Sequence, residues 1–344
     1  MLGACAADAP RRAHPDLVLL DSVIVVDTGP EPIAPPTALA VTTQGVAYLA
    51  DRRAGTVLVV DRGGAVVQRL GRRGRGPAEW AQGPGTMRLE GDSALIVNDG
   101  PRAVRLALPS GEVTHTRTSP GGLSVLRAVG DGRVWYDAVR EDRRTVLATA
   151  IGWSDTLRGA GPFPAHLVGR QALQLMFATM AILPWRGDSV VLAMEGVDSL
   201  FVWPAEGGPG RTVALPAVAR RGAKLDLLLG LNADDPASFA SVVYQPSQPF
   251  AVGQVGASDT VVVLHYDLAQ VEHRMTAQLF VSLVDVASGR ACVDAVVPVP
   301  LDPLPAASFA GGILAVATQE DDDAGRVHTI VRRYAVRGTD CAWR

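Results

Sequence analysis

The sequence predicts an all-β chain, a six-bladed β-propeller of four-stranded antiparallel blades, from three observations. Residues 35–80 hold four short strand-like runs, at 38–41, 46–50, 56–60 and 66–70, separated by the turns Thr43-Gln44-Gly45, Arg53-Ala54-Gly55 and Arg62-Gly63-Gly64. A turn, an apolar run and a closing acid recur six times along the chain. An apolar strand at 17–27 precedes the first unit and has no unit of its own. A four-strand meander is too small a sheet to bury both of its faces alone, so stacked copies are required.

The chain has 344 residues, 48% of them hydrophobic, and can bury a substantial core. Its net charge of -3 argues against a general nucleic-acid binder, which presents a clearly basic surface. No nucleic-acid partner is expected. No apolar run reaches the roughly 18 residues that a membrane-spanning helix needs, because Asp21 and Ser22 interrupt the longest early run.

Residues 1–16 read as a tail and 17–344 as a single propeller domain. In the tail, Leu2-Gly3-Ala4-Cys5 resembles a bacterial lipobox, with Cys5 as the residue that would be acylated, although only four residues precede it. Two readings follow. Either a longer precursor is lipidated at Cys5 and the polar residues after it form a tether, or Cys5 is an ordinary thiol in a tail. The first implies a bacterial cell-envelope protein, lipid-anchored or periplasmic or secreted, that meets the membrane only through a lipid on Cys5.

The strand at 17–27 is expected to complete the last blade, which zips the two chain ends together and removes an open sheet edge. After the first blade, the recurring acids are Asp51, Asp99, Asp137, Glu195, Asp267 and Glu320, spaced 48, 38, 58, 72 and 53 residues apart. Each apolar run ahead of an acid would be the second strand of a blade, packed between neighbours and so too apolar to alternate cleanly. Six copies imply six blades. The longer spacings place insertions near 161–182 and 217–245, where 167–182 fits a short helix or an extended inner strand and 224–231 favours a helical turn.

Residues 35–80 resemble an NHL-type repeat, on Val46-Ala47-Tyr48-Leu49-Ala50-Asp51, then Val57-Leu58-Val59-Val60-Asp61, then the link Gly71-Arg72-Arg73-Gly74-Arg75-Gly76-Pro77-Ala78-Glu79-Trp80. Ala78 and Trp80 stand where Gly and Phe are usual. With the opening strand and the sixfold pattern, the chain is similar to bacterial six-bladed propeller lipoproteins of NHL-like type. In the link, Gly71, Gly74 and Gly76 permit a sharp backbone path between blades, Pro77 stiffens it, and Glu79 and Trp80 close it.

If the protein is exported, Cys292 and Cys341 are expected to form a disulfide that ties down the tail, which leaves Cys5 as the odd cysteine. None of the six histidines has metal-ligand spacing within a blade, and no Gly-x-Ser-x-Gly, Walker or dinucleotide motif occurs. The resemblance admits an alternative, a metal-dependent lyase or lactonase with a divalent calcium or zinc ion in the central channel. Its candidate ligands are His265, Asp51, Asp99, Asp137 and Asp267. The bland account of the acids is that they cap hairpins by accepting backbone N–H bonds. The Glu320 to Asp323 run reads as a solvated hairpin tip.

The leading functional expectation is therefore a non-catalytic binding or scaffolding propeller, a monomer without cofactor that holds a protein or peptide partner on one face of the disc. The arginines at 52, 53, 62, 69, 72, 73 and 75 leave a weaker option, a polyanion-binding face.

Overall fold

The computed structural model describes residues 14–29, 32–118, 126–130, 132–137, 145–153, 158–162, 180–222, 247–271, 274–300, 304–338 and 341–344. Six four-stranded antiparallel sheets form a ring. Strand β1 (Asp16–Ile24) comes first, and blade 1 follows as β2 (Leu39–Val41), β3 (Ala47–Asp51), β4 (Thr56–Val60) and β5 (Val66–Leu70). A two-residue parallel pair, β6 (Arg72–Arg73) with β7 (Glu79–Trp80), closes the link to blade 2. Blade 2 is β8 (Met87–Glu90), β9 (Ala94–Asp99), β10 (Arg102–Ala107) and β11 (Val113–Thr118). Blade 3 is β12 (Leu126–Gly130), β13 (Arg133–Asp137), β14 (Thr145–Ile151) and β15 (Arg158–Pro162). Blade 4 is β16 (Met180–Trp185), β17 (Ser189–Met194), β18 (Ser199–Pro204) and β19 (Arg211–Ala214). Blade 5 is β20 (Gln248–Gln254), β21 (Thr260–Val271), β22 (Arg274–Asp285) and β23 (Ala291–Val296). Blade 6 takes β24 (Ala306–Ala310), β25 (Ile313–Asp321) and β26 (Val327–Arg337) from the C-terminal end and β1 from the N-terminal end.

The β1 and β26 pairing is antiparallel from Asp16 opposite Arg337 to Ile24 opposite Ile330, with a bulge between Leu19 and Asp21. The expected closure is present. The six recurring runs are the second strands β3, β9, β13, β17, β21 and β25, and no helix occurs among the described residues. Met180 to Ile182 is extended as the start of an inner strand and residues 161–162 end β15, while 163–179 and the helical turn expected at 224–231 lie outside the described residues.

The core sits between blades rather than inside any one of them. Along β3 and β4, Leu49, Leu58 and Val60 pack toward blade 6 with Ala315 and Val331, whereas Tyr48, Ala50, Val57 and Val59 pack toward blade 2 with Leu95 and Val97. A strand with period two that is buried on both faces reads as a continuous apolar run, which is why these segments do not alternate in sequence. Inner strands meet their neighbours in sequence around the ring, and β24 returns to β2.

The link after blade 1 is held by its own side chains. Gly76 N–H donates to Glu79 Oε2 at 2.8 Å, and Arg72 Nε donates to Glu79 Oε1 at 2.8 Å. Those contacts hold the Glu79 carboxyl below the usual range, with the Gly76 N–H the largest cause and Arg72 next. Trp80 is fully buried, and Gly71, at φ +71°, lies so close under the indole that any Cβ there would overlap it. Gly71→Ala is expected to lose roughly 1 to 3 kcal/mol through backbone strain and this clash, read as a lower urea midpoint at unchanged slope.

Cys292 on β23 is joined to Cys341, with Cα atoms 6.1 Å apart across 49 residues of sequence. The tail it secures pairs with the outer edge of blade 5, where Ala291 and Arg344 exchange N–H to O bonds of 3.0 and 2.9 Å. Cys341→Ser is expected to destabilise the fold by about 4 kcal/mol on the chain-entropy estimate, measured by denaturation without reductant.

Candidate functional site

A channel runs along the ring axis, with inner strands of all six blades around it. Its cavity of about 390 Å³ opens on the face that carries the turns between first and second strands, where Thr43, Asp92 and Gly311 form the mouth. The wall includes Met87, Ile182, Leu183 and Phe309, and among the described residues its only charged side chains are those of Arg88 and Asp92. Arg88 folds back to donate to the Met87 carbonyl at 2.8 Å. The Asp92 carboxylate accepts from Thr43 N–H at 3.0 Å and from the Thr43 hydroxyl, which pins the turn tips of blades 1 and 2 together. A second hollow, of about 420 Å³, follows the seam between blades 6 and 1 and shares Thr43, Ala310 and Gly311 with the channel. The two make one trough. At its outer end the Arg62 stem lies on Gly45, and within it Arg333 pairs with Asp21 at 2.8 Å and donates to the Gly45 carbonyl at 2.7 Å.

The recurring acids lie toward the opposite face, each on its own blade. Asp51 accepts from Ala34 N–H at 3.3 Å and Ala54 N–H at 2.8 Å, and Asp99 accepts from Ala81 N–H at 2.8 Å and Gln82 N–H at 2.6 Å. Arg102 adds an ion pair to Asp99 at 2.7 Å. Asp267 accepts from the Ser247 hydroxyl and lies 3.6 Å from Arg221, and Glu320 pairs with Arg332. The shared role is specific: Ala34, Ala81, Gln82 and Ser247 all belong to segments that enter the blade on which the acid sits. A buried carboxylate accepting two backbone N–H groups satisfies donors that a turn leaves open, and it thereby fixes where each connection crosses. Glu195 is buried just past β17, and its charge, after burial, contributes to raising the Tyr266 phenol to about 12. Asp137 ends β13, and its side chain lies outside the described set. The tip expected at Glu320 to Asp323 is a hairpin turn in which Asp322 accepts from Ala324 and Arg326 N–H, each at 2.9 Å, and meets His328 at 3.0 Å.

His265 stands on β21, on the face whose Val261 and Val263 pack against blade 4. It is 2% exposed, and among the described residues neither ring nitrogen has a hydrogen-bond partner. Burial first, and the charge of Arg220 second, hold its pKa well below the ordinary value. The same seam contains a pair that the sequence reading missed, Arg220 and Asp294. Asp294, at φ +62°, accepts from Ala219 N–H at 3.0 Å and the Ser282 hydroxyl at 3.2 Å, and lies 3.0 Å from the Arg220 guanidinium. Arg220 reaches Asp198 as well, at 3.1 Å. The available signal was an acid inside an otherwise apolar outer strand, Ala291-Cys292-Val293-Asp294, opposite the only Arg-Arg step in the connection between blades 4 and 5.

Among the described residues no three of His, Cys, Asp and Glu come together in a way that could hold a metal ion. His265, Asp51, Asp99 and Asp267 are each engaged or enclosed separately. Cys5 lies outside the described residues.

No protein-family model matches the sequence, and no curated protein matches it. Solved structures do match in fold. A member of the DUF4221 family from Bacteroides vulgatus aligns with a TM-score of 0.64 at 10% identity, over 94% of this chain and 99% of that one. A Bacteroides fragilis protein provisionally described as exported aligns at 0.61 and 8% identity, over 95% and 97%. A virginiamycin B lyase from Staphylococcus aureus aligns at 0.45 and 10% identity, over 92% and 99%, a score too low to bear on function. At these identities the likeness is one of fold.

His265 makes stability depend on pH in a definite direction. It stays neutral in the folded chain, whereas the unfolded chain takes up a proton below about pH 6.5, so this group lowers stability as pH falls through that value by up to about 1.4 kcal/mol per unit. His265→Leu should therefore gain stability on the wild type between pH 7 and pH 5 in urea titrations. A gap that stays constant with pH would contradict it.

Proposed function

We propose that this chain is a non-catalytic binding propeller of the bacterial cell envelope, of NHL-like type, which holds a protein or peptide partner on the face where the channel opens. The observation that carries the reading is the trough of channel mouth and blade 6 to blade 1 seam, concave, with apolar side chains along the channel wall, polar turn residues at its border, and the Arg333–Asp21 pair and Arg62 at its seam end. Sites that hold a partner's side chains combine an apolar recess with a few polar groups that orient it, and this trough has both. The envelope part rests on the Cys292 to Cys341 disulfide, which suits an oxidising compartment, and on the exported description of the Bacteroides fragilis neighbour. Acylation of Cys5 belongs to the same reading. A lyase or lactonase with a channel-bound metal gains no support from the described wall, which offers one carboxylate and no histidine.

The test is capture of a binding partner from bacterial envelope extract by immobilised wild-type protein and two surface variants. The double variant Gln44→Trp with Arg62→Glu blocks the trough, and Asp323→Arg alters the exposed hairpin tip on the other face. Loss of capture by at least about tenfold in the trough variant alone, with melting unchanged, is the expected result. Capture lost only in the tip variant would overturn the reading.

A further inference from the structure

The opposite face of blade 1 carries a concentration of positive charge that the trough does not use. Residues 52–75 contain seven arginines and one acid, Asp61, in a chain whose overall charge is -3. Two of those arginines are neutralised, Arg69 by Asp27 and Arg72 by Glu79, and Arg62 lies on the other face. The remaining four, Arg52, Arg53, Arg73 and Arg75, are exposed and have no carboxylate at ion-pair distance among the described residues. What bonds they make go to carbonyls. Arg52 Nε donates to Gln82 O at 3.3 Å, and Arg73 donates to Arg52 O at 3.2 Å and Arg53 O at 3.1 Å. Those bonds set the side chains in place and leave their charge uncompensated.

The arginines come from two adjacent segments. Arg52 and Arg53 sit on the turn between β3 and β4, and Arg73 and Arg75 sit on the link, which packs against that turn with Gly55 under Arg73. Two shallow hollows of about 270 and 400 Å³ run beside them and share Gly71 and Arg72. The second is lined by Gly71, Arg72, Gly76, Pro77, Ala78 and Glu79, with no large apolar side chain among the described residues, and the acids beside the two hollows already hold partners: Asp27 pairs with Arg69, Asp51 accepts from Ala54 N–H and Glu79 pairs with Arg72. Among the described residues no aromatic ring is exposed beside the arginines, since Trp80 is fully buried, so none of them offers a platform on which nucleic-acid bases would stack. Guanidinium groups spread over two adjacent segments read charge spacing alone, in bidentate fashion, on a partner that carries regularly placed anions.

We infer that this face binds an acidic polysaccharide, with Arg52, Arg53, Arg73 and Arg75 contacting its sulfate or carboxylate groups. The site is separate from the trough and does not depend on the function proposed for it.

The test is titration of the full chain with heparin, polygalacturonate and a single-stranded DNA of matched charge, each over a salt series. Binding of heparin or polygalacturonate that weakens steeply with salt is expected, and whichever binds more tightly identifies sulfate or carboxylate as the group read. Arg53→Glu with Arg75→Glu, at positions whose side chains make no hydrogen bond or ion pair among the described residues, should weaken it by at least about tenfold and lower the salt slope by about one per arginine, at an unchanged melting point. Arg62→Glu on the other face should leave it unaltered. Absence of binding at low salt, binding untouched by the double variant, or tighter binding of the DNA would overturn the inference.

Discussion

The whole structure depends on one constraint, that a four-stranded sheet with two apolar faces is stable only between two others like it. Strands β3, β9 and β17 are buried almost throughout, on both faces, and among the described residues the buried clusters join neighbouring blades. Hydrophobic burial of about 25 cal/mol per Å² is therefore earned at the seams, and each seam requires its neighbours. Such a chain must close on itself. Closure is supplied by β1, which lies some three hundred residues from its partner β26 in sequence and next to it in space. That non-local pairing, with the disulfide and the tail edge on blade 5, holds the two ends of the chain in the ring.

Polar groups inside this arrangement are placed where the chain crosses from one blade to the next. A connection that dives from the rim to the axis leaves backbone N–H groups without ladder partners, and a buried carboxylate meets that need with two acceptor oxygens. Asp51 and Asp99 do so from the ends of second strands, Asp267 takes a hydroxyl, and Asp294 serves the connection between blades 4 and 5 from an outer strand. The recurring acid is thus a construction feature of the repeat. His265 is the exception to this economy, a buried ring without partners among the described residues, beside a buried arginine and held neutral by its surroundings.

The two faces of the disc differ in chemistry. On the face of the first turns, ion pairs and hydrogen bonds join neighbouring blade tips, among them Thr43 to Asp92 and Arg186 to Asp259, and the recess between them is largely uncharged. On the opposite face of blade 1, arginines donate to carbonyls and keep their charge. One rigid ring can present both surfaces because its seams, rather than its faces, hold it together.

Much of the fold was legible in the residues. Residues 56–60 and 66–70 are strands with the bounds that the turn signals imply, the six apolar runs ending in acids are the six second strands, and the leading strand closes the last blade. Periodicity and turn chemistry are local, so the order of residues alone determined them. The pairing of Cys292 with Cys341, which the sequence allowed on the condition of export, is present. What only the tertiary structure decided is where side chains far apart in sequence meet: which connection each acid clamps, the Arg220 and Asp294 pair, the trough at the channel mouth, and which arginines keep their charge. These depend on the stacking angle and register of whole blades. Those are set by the summed packing of every seam, and no short stretch of the sequence carries that sum.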